Sequence, residues 1–316
     1  MPRFLLIGRD PAKRGGPLPQ GAPPDWQGAD AGAIRNALAR VRQKPSGGWV
    51  VVDASERITA APRRIELAGR EWVLWRCRSG VRIAPEACPH MGARLSEGRV
   101  DPQGRIVCPW HGLALGDRPE GGWKPLTTFD DGVLVWARLE RLGEGEPTER
   151  PYLPVRPERF VAGVIRMEAR CAPADVIQNR LDPWHGAHFH PHSFGRLSVL
   201  AQTEDAVTVR VVYRIAGPLG MEVDARFDCP DPRTIVMTIV AGDGVGSIVE
   251  THATPIDAER TAIIEATLAT SDRPVAMAMM QALGRAIRPS IEARAKRLWV
   301  EDAAYCERLA ELRRGA

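Results

Sequence analysis

Four residues of this chain could together hold a metal centre. Cys88-Pro89-His90 and Cys108-Pro109-Trp110-His111 set a Cys-x-His pair and a Cys-x-x-His pair on two short loops, with seventeen residues between them. Two thiolates and two imidazoles admit two readings. A structural zinc takes four such donors tetrahedrally. A [2Fe–2S] cluster takes two Cys on one iron and two His on the other. Each pair contains a proline and is followed closely by a glycine, Gly92 or Gly112. Proline stiffens a turn, and glycine lets the backbone come close to a bulky inorganic core.

A second constellation lies further along. Asn179, Asp182 and His185 are spaced by three, which would put them on one helix face. His190 falls five beyond His185, off that face. Pro191 disfavours helix at the residue before it, so the chain can leave the helix and swing His190 back. His188 competes with His190 at neat helical spacing from His185, and His192 reads as peripheral. Near the C-terminus, Asp302 projects from an apolar stripe of Leu298, Trp299, Tyr305 and Cys306. A carboxylate in such a stripe needs a partner, and a metal suffices. Glu301, beside Arg297 and Arg308, is expected to face water, so that Glu301→Ala would be nearly silent. His252 stands alone and reads as structural.

The elements that must position these groups fall into four stretches. Residues 1–45 form an N-terminal extension. It has Gly/Pro-rich loop at 15–24 and one short helix from Ala31 to Arg42, expected to pack on the first domain. Residues 46–141 read as all-β, with runs at Trp49–Val52, Trp72–Trp75, Val81–Ile83 and Val133–Trp136 bounded by Gly, Pro or Asp. Residues 142–159, with Pro151, Pro154 and Pro157, read as a linker. Residues 160–316 read as a helix from Ala172 to His190, then strands near 196–203, 206–215, 221–228, 233–240, 247–255 and 260–269. A long helical stretch follows from Pro274 to Arg314, broken near Pro289. Met221, Val223, Ala225 and Phe227 alternate with charged residues, as in a half-buried strand. The class is α+β.

The two loop sequences CPHMGARLSEGRV and CPWHG resemble the halves of a Rieske motif, and Asp182-x-x-His185-x-x-x-x-His190 resembles the iron motif of the Rieske non-haem iron oxygenases. The likeness spans roughly residues 49–310 and is nearest to the small homomeric monooxygenases. It implies a Rieske [2Fe–2S] domain on Cys88, His90, Cys108 and His111, then a helix-grip catalytic domain with mononuclear iron(II). By the same resemblance His185, His190 and the carboxylate Asp302 ligate that iron, Asn179 supports it, and Asp182 bridges to a cluster histidine, His111, of the next subunit. A homotrimer, a ferredoxin or NAD(P)H-dependent reductase, and O₂ are therefore expected partners. Leu113-Ala114-Leu115-Gly116 depart from the aromatic and Phe-Asp that usually follow the second loop.

The composition narrows the rest. Net charge is +4, from 43 basic and 39 acidic residues, and only four of the basic residues are lysine. With no long basic run, nucleic acid is not an expected partner. Six cysteines, four of them scattered singly, suit a reducing cytoplasm rather than a disulfide framework. The Phe4–Ile7 run is too short for a signal-peptide core, and no window approaches a membrane span. Val223, Phe227, Met237, Ile239, Ile263, Met277 and Met280 are candidate pocket residues for a largely apolar substrate, open to hydroxylation, demethylation, desaturation or cyclisation. Two rival readings are a Rieske electron carrier without oxygenase chemistry and a helix-grip protein that binds apolar ligands.

Overall fold

In the computed structural model, residues 5–6, 28–140, 142, 144–204, 206–216 and 219–315 are described. The loop expected at 15–24 lies outside them. The described chain begins with β1 (Leu5–Leu6) and α1 (Ala31–Val41). Nine strands or strand pieces of the first unit follow in two groups. The larger are β2 (Trp49–Ala54), β3 (Arg63–Leu67), β4 (Arg70–Cys77) and β5 (Gly80–Pro85). The shorter are β6 (Arg99–Val100), β7 (Ile106–Val107), β8 (Ala114–Leu115), β9 (Thr127–Asp130) and β10 (Leu134–Arg138). They pair as three small sheets, β2-β10-β9, β3-β4-β5 and β6-β7-β8. The five short or charged strands at 63–67, 99–100, 106–107, 114–115 and 127–130 were not legible from hydrophobic runs; two-residue strands carry no period to read.

No helix or strand interrupts the described residues of 142–159. Beyond it lie β11 (Val161–Ala169), α2 (Pro173–Arg180), α3 (His185–Phe189), β12 (Phe194–Gln202), β13 (Ala206–Ala216), β14 (Leu219–Asp231), β15 (Thr234–Gly242), β16 (Ile248–Pro255), β17 (Thr261–Ala269), α4 (Pro274–Ala282) and α5 (Gly284–Arg314). The antiparallel sheet runs β11-β17-β16-β15-β14-β13-β12, with β1 added in parallel at Leu219 and Gly220 of β14. The long helix α5 packs across β11 and α2, its Trp299, Ala303 and Cys306 sharing a core with Ile165, Ile177 and Ile263. All-β domain followed by helix-grip sheet is the α+β architecture read from the sequence.

Three expectations change. The helix from Ala172 to His190 is two helices, because Pro183 disfavours helix at Asp182 before it. Asn179, Asp182 and His185 therefore do not share one helix face. The C-terminal break falls at Leu283, between α4 and α5, while Pro289 is carried inside α5. And α1 packs on the second domain, not the first: Ile34 and Val41 join the core of Trp299 and Ile177.

The two units share a continuous core. Trp49, Val51, Leu134 and Trp136 of the first interleave with Val164, Ile248, Ile256 and Ile264 of the second. His252 sits within this seam, its ring edge-on to Trp136 at 5.0 Å and its Nδ1 3.0 Å from Thr234 Oγ1, a structural role as expected. Beside it Arg156, from the stretch before β11, donates to Glu250 at 2.6 and 2.8 Å and lies 3.0 Å from Asp131 of the first unit. Burial raises both carboxyls, but the guanidinium outweighs it and holds them below the usual range. Depressed carboxyls contribute stability above about pH 4 that is lost as pH falls through their folded values. Arg156→Met strands two buried carboxylates, and should cost about 3–5 kcal/mol in chemical denaturation at neutral pH. A loss below about 1 kcal/mol, the range of surface pairs, would contradict this bridging role.

Candidate metal centres

The two cluster loops are near copies of one another. Cys88 N–H donates to Ala93 O and Gly92 N–H to Cys88 O; Cys108 N–H donates to Leu113 O and Gly112 N–H to Cys108 O. Gly92 and Gly112 have φ of 77° and 76°, left-handed values that glycine reaches without a steric penalty. No protein atom lies within 4 Å of where a Cβ would stand at either, so the backbone angle, rather than crowding by protein atoms, calls for glycine there. The loops face each other with His90 and His111 rings 4.8 Å apart.

Exposure splits the set. Cys88 and Cys108 are each 3% exposed, in a core with Trp75, Leu95, Ile106 and Trp123, while both histidines are exposed. Burial pushes the Cys88 thiol up. At Cys108 burial is outweighed by N–H groups of Trp110 and His111 and by contact with Cys88, so that thiol is lowered. Two sulfurs in contact at the bottom and two imidazoles at the rim suit a cluster with its sulfur-ligated iron buried and its histidine-ligated iron outermost. Leu115, part of the departure from the usual sequence, is 1% exposed in this core, so apolar packing stands in for the aromatic there.

The second centre assembles from α2, α3 and α5. Asn179 is in the last turn of α2, and His185 opens α3. His190 terminates α3 with φ −121° and ψ 54°, outside the helical region, as Pro191 requires. Its Nε2 lies 2.9 Å from Asp302 Oδ1, and His185 Nε2 lies 3.2 Å from the same oxygen. The three donor atoms are within 4.8 Å of one another and could hold a metal ion. His188 is exposed and takes no part. Asn179 Nδ2 donates to Asp302 Oδ1 at 3.1 Å, leaving its own Oδ1 buried without a partner. Two imidazole nitrogens, a carboxylate and an open acceptor fit a hard-to-borderline divalent cation such as iron(II).

Electrostatics tie the donors together. Burial disfavours charge on Asp302, but His185, His190 and Arg180 outweigh it and hold the carboxyl well below its usual range. Burial likewise opposes a proton on His185, yet Asp182 and Asp302 raise it to about 9. Trp299 fixes α5 one turn before Asp302. It is fully buried, donates Nε1–H to Glu265 at 2.6 Å, and carries the Arg180 guanidinium over its ring at 4.8 Å.

Asp182 sits in the turn between α2 and α3, largely buried. Its Oδ1 accepts from Trp184 N–H at 3.2 Å and its Oδ2 from Tyr305 O–H at 3.3 Å. Its backbone carbonyl takes a short hydrogen bond from His185 Nδ1. Tyr305 was legible only as part of the apolar stripe; it also stacks, tilted, on His185 at 5.5 Å. Glu301 does not simply face water: its Oε2 lies 2.5 Å from His190 Nδ1. Consecutive residues on α5 thus reach opposite nitrogens of one imidazole. The reading that placed Glu301 in solvent weighed only its arginine neighbours on the helix, and missed His190 arriving from α3.

Above the donors opens a cavity of about 660 Å³, lined by Phe194, Leu197, Phe227, Met237, Ile239 and Met280 among others. Of the seven candidate pocket residues, Phe227, Met237, Ile239 and Met280 line it. Val223, Ile263 and Met277 are plain core.

Comparison with known proteins now bears on these centres. A family model described as a domain of unknown function, DUF5914, matches residues 142–316, and a Rieske [2Fe-2S] domain model matches residues 48–128. The chain is similar to a solved dicamba monooxygenase bound to dicamba, with TM-score 0.60, 17% identity, and coverage of 86% of this chain and 88% of that one. The terminal oxygenase of carbazole 1,9a-dioxygenase from Novosphingobium matches with TM-score 0.57, 13% identity and 88% coverage of both. The chain belongs to the DUF5914 family, carries a Rieske [2Fe-2S] domain, and shares its fold with these solved oxygenases. Among curated relatives, the chloroplastic pheophorbide a oxygenase of Arabidopsis thaliana is 42% identical over 71 residues, 22% of this chain and 13% of that protein. Cholesterol 7-desaturase of Ciona intestinalis is 24% identical over 178 residues, 50% of this chain and 37% of that protein. The chain spans well under half the length of these relatives.

At this centre Glu301 Oε2 meets the outer nitrogen of His190, the arrangement that in carboxylate–histidine–metal units orients the imidazole and raises its basicity. Glu301→Ala should weaken iron(II) binding by about 10–100-fold in a metal titration, with the cluster's visible bands intact and Glu301→Gln partly restoring affinity. Unchanged iron affinity in Glu301→Ala would contradict the orienting role.

Proposed function

We propose that the chain is an electron-fed Rieske oxygenase that oxidises a largely apolar small molecule with O₂. One observation carries this reading: His185, His190 and Asp302 converge within 4.8 Å where they border an apolar cavity. A Rieske electron carrier has no use for such a cavity, and an apolar-ligand binder has no use for the converging donors. We assign Cys88, His90, Cys108 and His111 to the [2Fe–2S] cluster and His185, His190 and Asp302 to mononuclear iron. When bound, the two groups supply one-electron transfer and dioxygen activation respectively.

The chain's own residues set the conditions for that chemistry. Asn179 holds Asp302 in register, Glu301 holds His190, and the cavity wall offers the substrate a largely apolar surface. A carboxylate only accepts hydrogen bonds, which suits Asp182 to bridge an N–H of His185 to a cluster histidine of a neighbouring subunit. The rim where His90 and His111 emerge supports such docking, since it exposes Met91 at 63% and Trp110 at 58%. A ring-shaped homotrimer is the assembly in which each rim meets the next subunit's Asp182. We take 1–45 as an extension, 46–141 and 160–316 as the two domains, and 142–159 as their linker. A ferredoxin or NAD(P)H-dependent reductase is the electron source. The free cysteines fit a cytoplasmic setting.

The reading is tested by supplying iron-loaded protein with reduced ferredoxin, labelled O₂ and an apolar metabolite extract, and following products by mass spectrometry. Wild type should convert a component of the extract in an O₂-dependent manner. His185→Ala should lose that conversion while its cluster bands persist. Asp182→Asn should fill both centres and also lose nearly all turnover. Conversion no greater than in His185→Ala would overturn the assignment.

A further inference from the structure

The cavity is not apolar throughout. Four arginines line it, and they differ in how their charge is met. Arg180 pairs with Glu265, and Arg273 pairs with Asp243 at 2.7 Å. Arg214 donates to Phe194 O at 3.4 Å. Arg294 donates to two backbone carbonyls, Arg214 O at 3.1 Å and Ile215 O at 2.6 Å, and forms no ion pair among the described residues. A guanidinium has five N–H donors, so several remain for a ligand.

Arg294 also opens onto a second space of about 390 Å³ that adjoins the main cavity through Ser193, Arg214 and Ile215. Pro191, His192 and Arg297 complete its lining, and none of its lining residues is acidic. Arg297 follows Arg294 by three on α5, so the two are surface neighbours on the helix, and Arg297 too has no ion-pair partner among the described residues. The nearby acid Glu301 is committed to His190, with His192 at 3.8 Å. A positively charged vestibule thus adjoins an apolar chamber.

The geometry of α5 relates the two ends. Arg294, Leu298 and Asp302 recur every four residues on one helix face, and all three line the cavity. At 1.5 Å per residue, Arg294 stands about 12 Å along the axis from Asp302. Helix side chains lean toward the N-terminus, which carries the guanidinium further from the iron end.

We propose that the substrate is an amphiphile: an extended apolar body whose anionic end group, a carboxylate or a phosphate, is held by Arg294 and Arg297. The body lies along the apolar wall, and oxidation falls at a carbon far from the anionic end. This rests on the cavity being the substrate site of the proposed oxygenase. A charge-assisted bidentate contact with carboxylate or phosphate is the recognition that arginine serves best.

Binding tests this without turnover. Dodecanoate, dodecyl phosphate and dodecanol, used below their micellar concentrations, are titrated into the purified protein by calorimetry. The two anions should bind at least about tenfold tighter than the alcohol, the worth of one charge-assisted contact. Preference for dodecanoate over dodecyl phosphate, or the reverse, names the end group. In Arg294→Gln/Arg297→Gln the preference should fall to near unity, with dodecanol affinity, cluster bands and thermal midpoint unchanged. Arg294→Lys should keep part of it. Equal binding of acid and alcohol, a preference that survives the double variant, or no binding of any of the three overturns the proposal. Because the titration reads neither iron nor O₂, loss of anion preference in an active oxygenase leaves the oxygenase reading standing. Anion preference in a protein that turns nothing over would instead remove the reading and keep the site.

Discussion

Asp302 is 2% exposed and ionised, and a buried charge of that kind persists only with its partners in place. Its Oδ1 collects Asn179, His185 and His190, from the end of α2 and both ends of α3. That single oxygen ties the α2–α3 segment to α5. The requirement propagates outward: Trp299 must lock α5 in register, Arg180 and Glu265 must lock Trp299, and Pro183 and Pro191 must end helices where the histidines turn inward. Remove the carboxylate and the buried His190 and half-buried His185 lose their common partner, so site geometry and local stability are one property here.

The same economy of position governs the two centres relative to each other. Within one chain the seam of Trp49, Trp136, Ile248 and Ile264 fastens the domains, and Arg156 bridges them with two held-down carboxyls. The cluster rim, however, points its histidines to solvent with Met91 and Trp110 beside them. Buried sulfurs and exposed imidazoles leave the histidine side as the accessible face of the two loops. On the catalytic side Asp182 is braced by Trp184 N–H and Tyr305 O–H, which suits it to the bridging role we propose.

Much of this was legible in the sequence, and the reasons are particular. The cluster ligands announce themselves by residue type and spacing. The strands of the catalytic sheet show alternation, and β13 and β17 fall within a residue of their expected limits. Pro191 let His190 swing back, and the resemblance chose it over His188. What failed needed tertiary context. Pro183 breaks the helix at Asp182 by the same rule that Pro191 obeys, but equal spacing of Asn179, Asp182 and His185 masked it. Glu301 and Tyr305 gain their roles from residues more than a hundred positions away, which no local pattern reports. Strand β11 reads poorly because charged Arg166 and Glu168 interrupt its apolar run.

The central claim is that one chain carries two chemically separate iron centres. Iron and acid-labile sulfide analysis of the reconstituted protein addresses it most directly, with about three iron and two sulfide per chain expected from a cluster plus one mononuclear site. His185→Ala or Asp302→Ala should give about two of each with unchanged cluster bands, since only the mononuclear site is lost. A wild-type chain that holds only two iron after loading, or an Asp302→Ala chain that still holds three, would contradict the account.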